Sequence, residues 1–479
     1  MTSYAELVLA PAAADLSHPA FSKLFVVTDY LPELGVLIAT RRKRSPSDPE
    51  VWAAHIAVVE GTETAAQQYE SDRARFIGRG RSLADPAAAD TPLSGTTGTV
   101  LDPVFALRHR VLVPGGGRAR VTFWTMVAAT PEALLDLVDR HRDPSAFDRA
   151  VTLAWTQTQV QLRHLAVSAT AAADFQRLAG MLIRGDGRLR ATAAQIRAGA
   201  GPQSDLWALG ISGDLPIVLF MISDAEDFGR LQDVLVAAEY WRMRQLAVDL
   251  VILNDRSSSY VQDLQIAVET AVRSAQSRPG QAAVGGAIFT LRADLTPPET
   301  RAHLLAAAAV VLTASRGRIG TQLDLLPAPA VPAPRKFPPA QLSPAAVTLP
   351  KLKFFNGTGG FDLDGREYVT ILQDGQTTPA PWINVIANPG FGFQVSAEGS
   401  GFTWAENSRE NQITPWSNDP VTDPAGEAIY LQDLDTGQIW TPTALPMRSN
   451  GTYIARHGFG YSRFQHTANG IDADMVQFV

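Results

Sequence analysis

Cysteine is absent from all 479 residues, which excludes disulfides and thiolate metal sites and fits a reducing compartment. No apolar run is long enough to span a bilayer. The most hydrophobic stretch, residues 304–314, falls well short of the ~20 residues that a helical crossing needs. The opening MTSYAELVLAPAAADLSHPAF lacks a basic segment followed by an apolar core, so it does not read as a secretory signal. A basic surplus is missing too. Lys and Arg total 41 against 48 Asp and Glu, a net charge of -7, and no basic stripe with interleaved aromatics appears. Nucleic acid is therefore not expected as the main partner.

What remains is an ordinary globular composition, 46% hydrophobic and 19% charged, with length enough for roughly two to four domains. Residues 1–128 read as β: ALRHRVLV and RARVTFWTMV flank Pro114-Gly115-Gly116-Gly117, a pattern expected of a hairpin with Val121, Phe123 and Val127 facing inward. No helix start or Lys-Ser/Thr follows those glycines, so they read as a turn rather than a phosphate cradle. Residues 129–200 read as linker helices. Thr130 caps the first with Pro131 at its first position, Asp143-Pro144 opens the second, and Phe147, Val151, Trp155 and Leu162 form one apolar stripe along it.

Residues 201–323 alternate uninterrupted apolar runs (216–222, 248–253, 286–291) with helical stretches (225–246, 258–275, 297–313). That predicts a small three-layer unit built on a parallel sheet. Tyr240, Trp241, Arg242 and Arg244 close one of its helices, where packing of the aromatics is the simpler role. Residues 324–350 are rich in Pro and Ala and read as a semi-rigid linker.

Residues 351–479 return to β. Gly-rich turns separate alternating runs such as Phe391, Phe393 and Val395 against Gly392, Gln394 and Ser396. The expected fold is multidomain, β plus α/β: antiparallel β-sandwich segments at both ends, flanking linker helices and the small α/β unit. Within the last segment, TWAENSRENQITPWSND has neither period. Its Trp404 and Trp416 offer ring faces for a sugar, while Asn407, Arg409, Glu410, Asn411, Asn418 and Asp419 offer forks for vicinal hydroxyls. A corner loop whose amides satisfy its own backbone fits the same composition, and an Arg409–Glu410 pair fits as well as a sugar contact.

NGTGGFDLDGREYV, PAPWINVIANPGFGF, SGFTWAENSREN, TPWSNDPVTDPAGEAIYLQD and HGFGYSRFQH resemble the N-terminal β-sandwich of the cellobiose and chitobiose phosphorylase family, glycoside hydrolase family 94. Earlier motifs, PAFSKLFVVTDYLPEL, ESDRARFIGRGR, SGTTGTVLDPVFALR and YWRMRQLAVDLVILN among them, resemble the matching part of cyclic β-1,2-glucan synthases. The resemblance implies an internal piece of a large bacterial polypeptide, with the first segment giving the later strands of one sandwich and the last segment the early strands of another. Exposed strand edges are expected at both unless the two segments pair. The resemblance also implies a cytoplasmic setting, with any inner-membrane anchor elsewhere in the parent. The implied partners are a β-glucan oligosaccharide and other domains of that parent, with room for a homo-oligomer and no cofactor.

Phosphorolysis in that family needs a carboxylic acid to protonate the departing glycosidic oxygen. The family's tryptophan-asparagine-aspartate context for it does not occur here, so no catalytic residue is assigned. Asp214 in ISGDLP is the weak candidate, at the mouth of an apolar strand, with turn stabilisation as its plainer role. His457 and His466 lack a third ligand at metal spacing. The expected function is thus part of a glycosyltransferase or glycoside phosphorylase. A non-catalytic sugar-binding scaffold is the alternative.

Overall fold

The computed structural model describes residues 1–256, 263–276, 286–328 and 347–479. Met1–Ala150 and Pro334–Val479 together form one compact unit, and Val151–Ala333 forms a second. The Pro/Ala-rich linker lies largely outside the described residues.

In the first unit, strands Val26–Leu31, Val36–Arg41, Trp52–Glu60 and Arg120–Ala128 form an antiparallel sheet in that order, and Ala5–Glu6, Pro103–Arg108 and Gln68–Asp72 form another. Val26, Leu37, Ala53, Phe105 and Leu107 fill the space between them, the alternating inward faces of a sandwich. Leu134 and Val138 of the helix Pro131–His141 cover the outer face of the four-stranded sheet. Thr130 accepts from Ala133 N, as a cap should. The last segment repeats the plan: a five-stranded antiparallel sheet ending in Tyr453–Gly458, Tyr461–Ala468 and Ile471–Phe478 packs Ala455 and Phe464 against Val395 and Ala397. Among the described residues, no strand of one segment joins a sheet of the other.

Three local expectations fail here, the last of them in part. The Pro114–Gly117 turn does not close a hairpin, because Arg120–Ala128 pairs with Trp52–Glu60 and the short Val111–Leu112 pairs with Thr62–Glu63. Met126, not Val127, is buried on that strand, since Met126 faces the helix behind the sheet. The stripe on the helix Ser145–His164 is buried only in part. Leu162 packs into a core, while Val151 and Trp155 face outward, Trp155 being 65% exposed.

The second unit is a four-stranded, all-parallel sheet. Its order is Ile288–Arg292, Asp249–Asn254, Ile217–Ile222, Val310–Thr313. Helices Ala169–Arg184, Phe228–Met243 and Asp263–Gln276 cover one face, and Pro298–Ala307 the other. Trp241 is fully buried and its indole donates to Phe175 O at 2.9 Å; Tyr240 is buried beside it and accepts from Gln176. The fourth strand, Val310–Thr313, replaces the last four residues of the helix expected over 297–313. Only Ala308 and Ala309 separate helix from strand, so no turn residue announces the change, and the β-branched run Val310-Val311 takes the sheet edge instead.

Candidate functional site

The aromatic and amide-rich loop begins where the meander Ile383–Ala387, Phe391–Ser396, Gly401–Ala405 ends. Phe402 and Trp404 are two apart on one strand and share a face. Trp404 lies opposite Gly392, where a Cβ would sit 2.6 Å from the indole, so glycine is needed for the ring to seat. The ring is 7% exposed. From it a ladder of aromatics climbs outward: Phe402 tilts against Trp404 at 5.1 Å, Trp416 stacks on Phe402 at 5.4 Å and 17°, and His18 meets Trp416 edge-on at 6.4 Å. Trp416, 43% exposed, presents the open face. Trp404 is the buried foot of the ladder and reaches Trp416 only through Phe402.

The turn after the meander is self-contained. Asn407 Oδ1 accepts from Arg409 N and Glu410 N, both at 2.9 Å, and Asn411 N donates to Asn407 O. Arg409 and Glu410 face each other at 3.5 Å, both largely exposed. Asn407, Arg409, Glu410 and Asn411 thus cluster at one exposed tip, which lines neither cavity beside the loop.

Those two cavities flank residues 417–420. One, about 290 Å³, is lined by Trp416, Asn418, Asp419, Gln394, Ser396 and Asp423 among others. The other, about 430 Å³, is lined by His18, Phe21, Lys23, Arg73, Asn418 and Asp419 among others. Asn418 borders both and holds φ 47°, a left-handed conformation that asparagine tolerates better than most residues.

Asp419 is a clamp. It accepts from both terminal nitrogens of Arg73, at 2.8 and 2.9 Å, and from Thr422 Oγ1, Val421 N and Thr422 N. Burial alone would raise its pKa, but the Arg73 fork and the Thr422 bonds outweigh that and hold it well below the usual carboxylate range. A carboxylate so held is ionised and does not serve as a proton donor at neutral pH. Arg73 also binds Glu6 and Asp102, and Lys23 pairs with Asp102.

A second cluster repeats the pattern. Glu398, wholly buried, accepts from Arg79, Arg448 and Thr378, and Arg79 reaches Asp423 at 3.2 Å. Asp423 is pushed up by burial, with Arg79 opposing. Arg73 opens the short helix Arg73–Ile77 and Arg79 lies in the turn after it, where Gly80 N donates to Val421 O and Phe76 and Ile77 pack on Val421.

Asp214 lies elsewhere, in the second unit. It is an exposed turn residue bonded by Gln203 Nε2 at 3.0 Å, with its own N–H on Ser212 Oγ. It stands before the amino end of strand Ile217–Ile222, whereas parallel sheets gather ligands at the carboxyl ends. His466 is buried and His457 half-buried, their pKa values are lowered by desolvation, and His466 stacks on Tyr453. No group of His, Asp and Glu among the described residues is arranged to hold a metal. No helix among them is long and apolar enough to cross a membrane.

The family model for the glycosyl hydrolase 94 supersandwich domain matches residues 1–144 and 366–479, more than half of the chain. The chain belongs to the glycosyl hydrolase 94 family. It is 41% identical, over all of its length, to the cyclic beta-(1,2)-glucan synthase NdvB of Rhizobium meliloti, and spans 17% of that protein. About a quarter of it is 35% identical to an N,N'-diacetylchitobiose phosphorylase of Vibrio furnissii and 29% identical to a solabiose phosphorylase of Paenibacillus borealis, spanning 15% and 16% of those chains. The supersandwich match covers both β segments of the first unit and skips the parallel-sheet unit. In this glycosyl hydrolase 94 chain, sequence reasoning overlooked His18, Arg73, Arg79 and Asp423. The signal was present in ESDRARFIGRGR, whose first two arginines enter a short helix capped by Asp72 and whose third follows it, and in VTDP, whose aspartate sits among turn residues.

Proposed function

We propose that the chain supplies glucan-contacting surface to a carbohydrate-active enzyme of the cyclic β-1,2-glucan synthase type, and that the general acid comes from outside its sequence. The observation that carries this reading is the half-exposed Trp416 face, backed by stacked Phe402 and bordered by a cavity with Ser396, Gln394 and Asn418 on its wall. A rigid aromatic plate beside amide and hydroxyl donors suits a sugar ring. Trp416 and Asn418 make the contacts. Trp404 positions Trp416, and Asp419 fixes the loop through Arg73. Asn407, Arg409, Glu410 and Asn411 meet only a chain long enough to extend past the cavity to the exposed tip. Asp419 being held ionised supports an external acid. The substrate is a β-glucan oligosaccharide, and no cofactor takes part.

The test is titration of β-1,2-glucan oligosaccharides into the purified chain. Trp416→Ala should weaken binding about three- to tenfold, the worth of one aromatic contact, with the fold intact by circular dichroism; unchanged affinity removes the reading. The second reading, a scaffold that only holds glucan, is favoured by the complete internal pairing of Asp419. Glucan synthesis by the parent polypeptide separates the two. A Trp416→Ala parent that binds poorly yet elongates at the normal rate supports the scaffold.

A further inference from the structure

The parallel-sheet unit holds a cavity that none of the supersandwich features explains. The chain passes from Ile217–Ile222 outward through Asp249–Asn254 to Ile288–Arg292 and then returns to lay Val310–Thr313 on the other side of the first strand. Strand order therefore reverses between Ile217–Ile222 and Val310–Thr313, the place where open parallel sheets leave a crevice at their carboxyl ends. A cavity of about 520 Å³ lies there, lined by Met221 and Thr313, the penultimate and last residues of those two strands, and by Arg188, Arg190, Arg316 and Gln322 among others.

No acidic residue lines it. Arg188 is neutralised by Asp186. Arg190 donates to the carbonyls of Ala306 and Ala308, which leaves its charge uncompensated. Arg316 is exposed. Among the described residues neither Arg190 nor Arg316 has a carboxylate partner. The loop that carries Arg316 is fixed from below: buried Gln322 accepts from Thr313 N and donates to Thr313 O and Gly317 O, and Gly317 takes φ 93°. The cationic mouth is preformed. Its volume exceeds what a bare anion fills, and Met221, Leu305 and Val311 give it a carbon wall.

We infer that this cavity binds a small phosphate monoester, such as a phosphorylated sugar or polyol, with Arg190 and Arg316 on the phosphate and the carbon wall against the ester body. Two uncompensated guanidiniums suit a doubly charged group, which arginine grips through paired N–H donors. This rests on no part of the glucan reading.

Calorimetric titration of the full chain at fixed ionic strength tests it, with glucose 6-phosphate, inorganic phosphate and glucose as probes. The expected order is saturable binding of glucose 6-phosphate, several-fold weaker binding of inorganic phosphate, and none of glucose. Arg316→Gln, which breaks no side-chain hydrogen bond or ion pair among the described residues, should weaken the ester about tenfold or more, and Arg316→Lys should fall between. Three results overturn the inference: no saturable binding of glucose 6-phosphate, equal affinity for ester and inorganic phosphate, or affinity unchanged in a natively folded Arg316→Gln.

Discussion

In the Val151–Ala333 unit, a parallel sheet of Val, Ile, Leu and Phe carries one hydrophobic cluster on each face, and the larger runs without a break into the helices that cover it. The supersandwich unit has several small clusters instead, and between its two segments it places ions: Arg73 among Glu6, Asp102 and Asp419, and Arg79 between Glu398 and Asp423. Apolar burial is non-directional and nearly indifferent to pH. Buried ion pairs are directional, and losing one partner strands the other. The parallel-sheet unit should respond to mutation by volume, and the supersandwich unit by charge and protonation.

The sharpest way to break that contrast is to delete one cation and one core ring. Arg73→Met leaves Asp419 without its fork and should cost about 3–5 kcal/mol in the supersandwich unit; Trp241→Ala should cost a similar 3–5 kcal/mol in the parallel-sheet unit. Hydrogen exchange read peptide by peptide should show each loss confined to its own unit. A loss shared by both would end the comparison.

Acid should separate the units next. His55 is buried between the rings of Phe105 and Phe123 and bonded to Ser3 and Thr125, and burial lowers its pKa to about 4. Its folded value lies below its unfolded value of ~6.5, so its stabilising contribution is complete above pH 6.5 and is lost as pH falls toward 4, about 3 kcal/mol in all. Asp419, also lowered, contributes fully above its unfolded value near 4 and is lost only at still lower pH. Urea midpoints of the supersandwich unit should therefore fall between pH 7 and 4, and His55→Gln should flatten that slope.

Smaller effects refine the site. Gly392→Ala places a methyl against the Trp404 ring and should cost about 1–3 kcal/mol, with a shift in Trp fluorescence as the ladder moves. Arg409→Gln removes only an exposed pair and should change stability by less than about 0.5 kcal/mol.

How far the sequence foretold all this follows from how local each cause is. The first three parallel strands were legible because each is an unbroken apolar run. The fourth was not, since helix and strand there share an alanine-rich junction without Gly or Pro. The Arg120–Ala128 strand was misread because its partner, Trp52–Glu60, lies far back in the chain while a plausible turn lay next door. In the loop, the Asn407 turn and the Arg409–Glu410 pair were among the readings that composition allowed. The burial of Trp404 depends on a glycine one strand away, and the locking of Asp419 on an arginine 346 residues earlier. Composition carries no record of either.

That separation also sets a clock. At roughly 5–20 residues per second, a ribosome needs on the order of tens of seconds after making Arg73 before Asp419 exists. Through that wait the guanidinium has only Glu6 and Asp102 as mates, and Phe76 and Ile77 lack the Val421 they will pack on. The parallel-sheet unit, whose strand pairs and hydrophobic clusters are encoded in between, can finish folding meanwhile and shorten the free tether that the late-arriving loop must close. A nascent chain stalled before residue 419 should then be selectively open to proteases around the Arg73–Ile77 helix while its central unit already resists them.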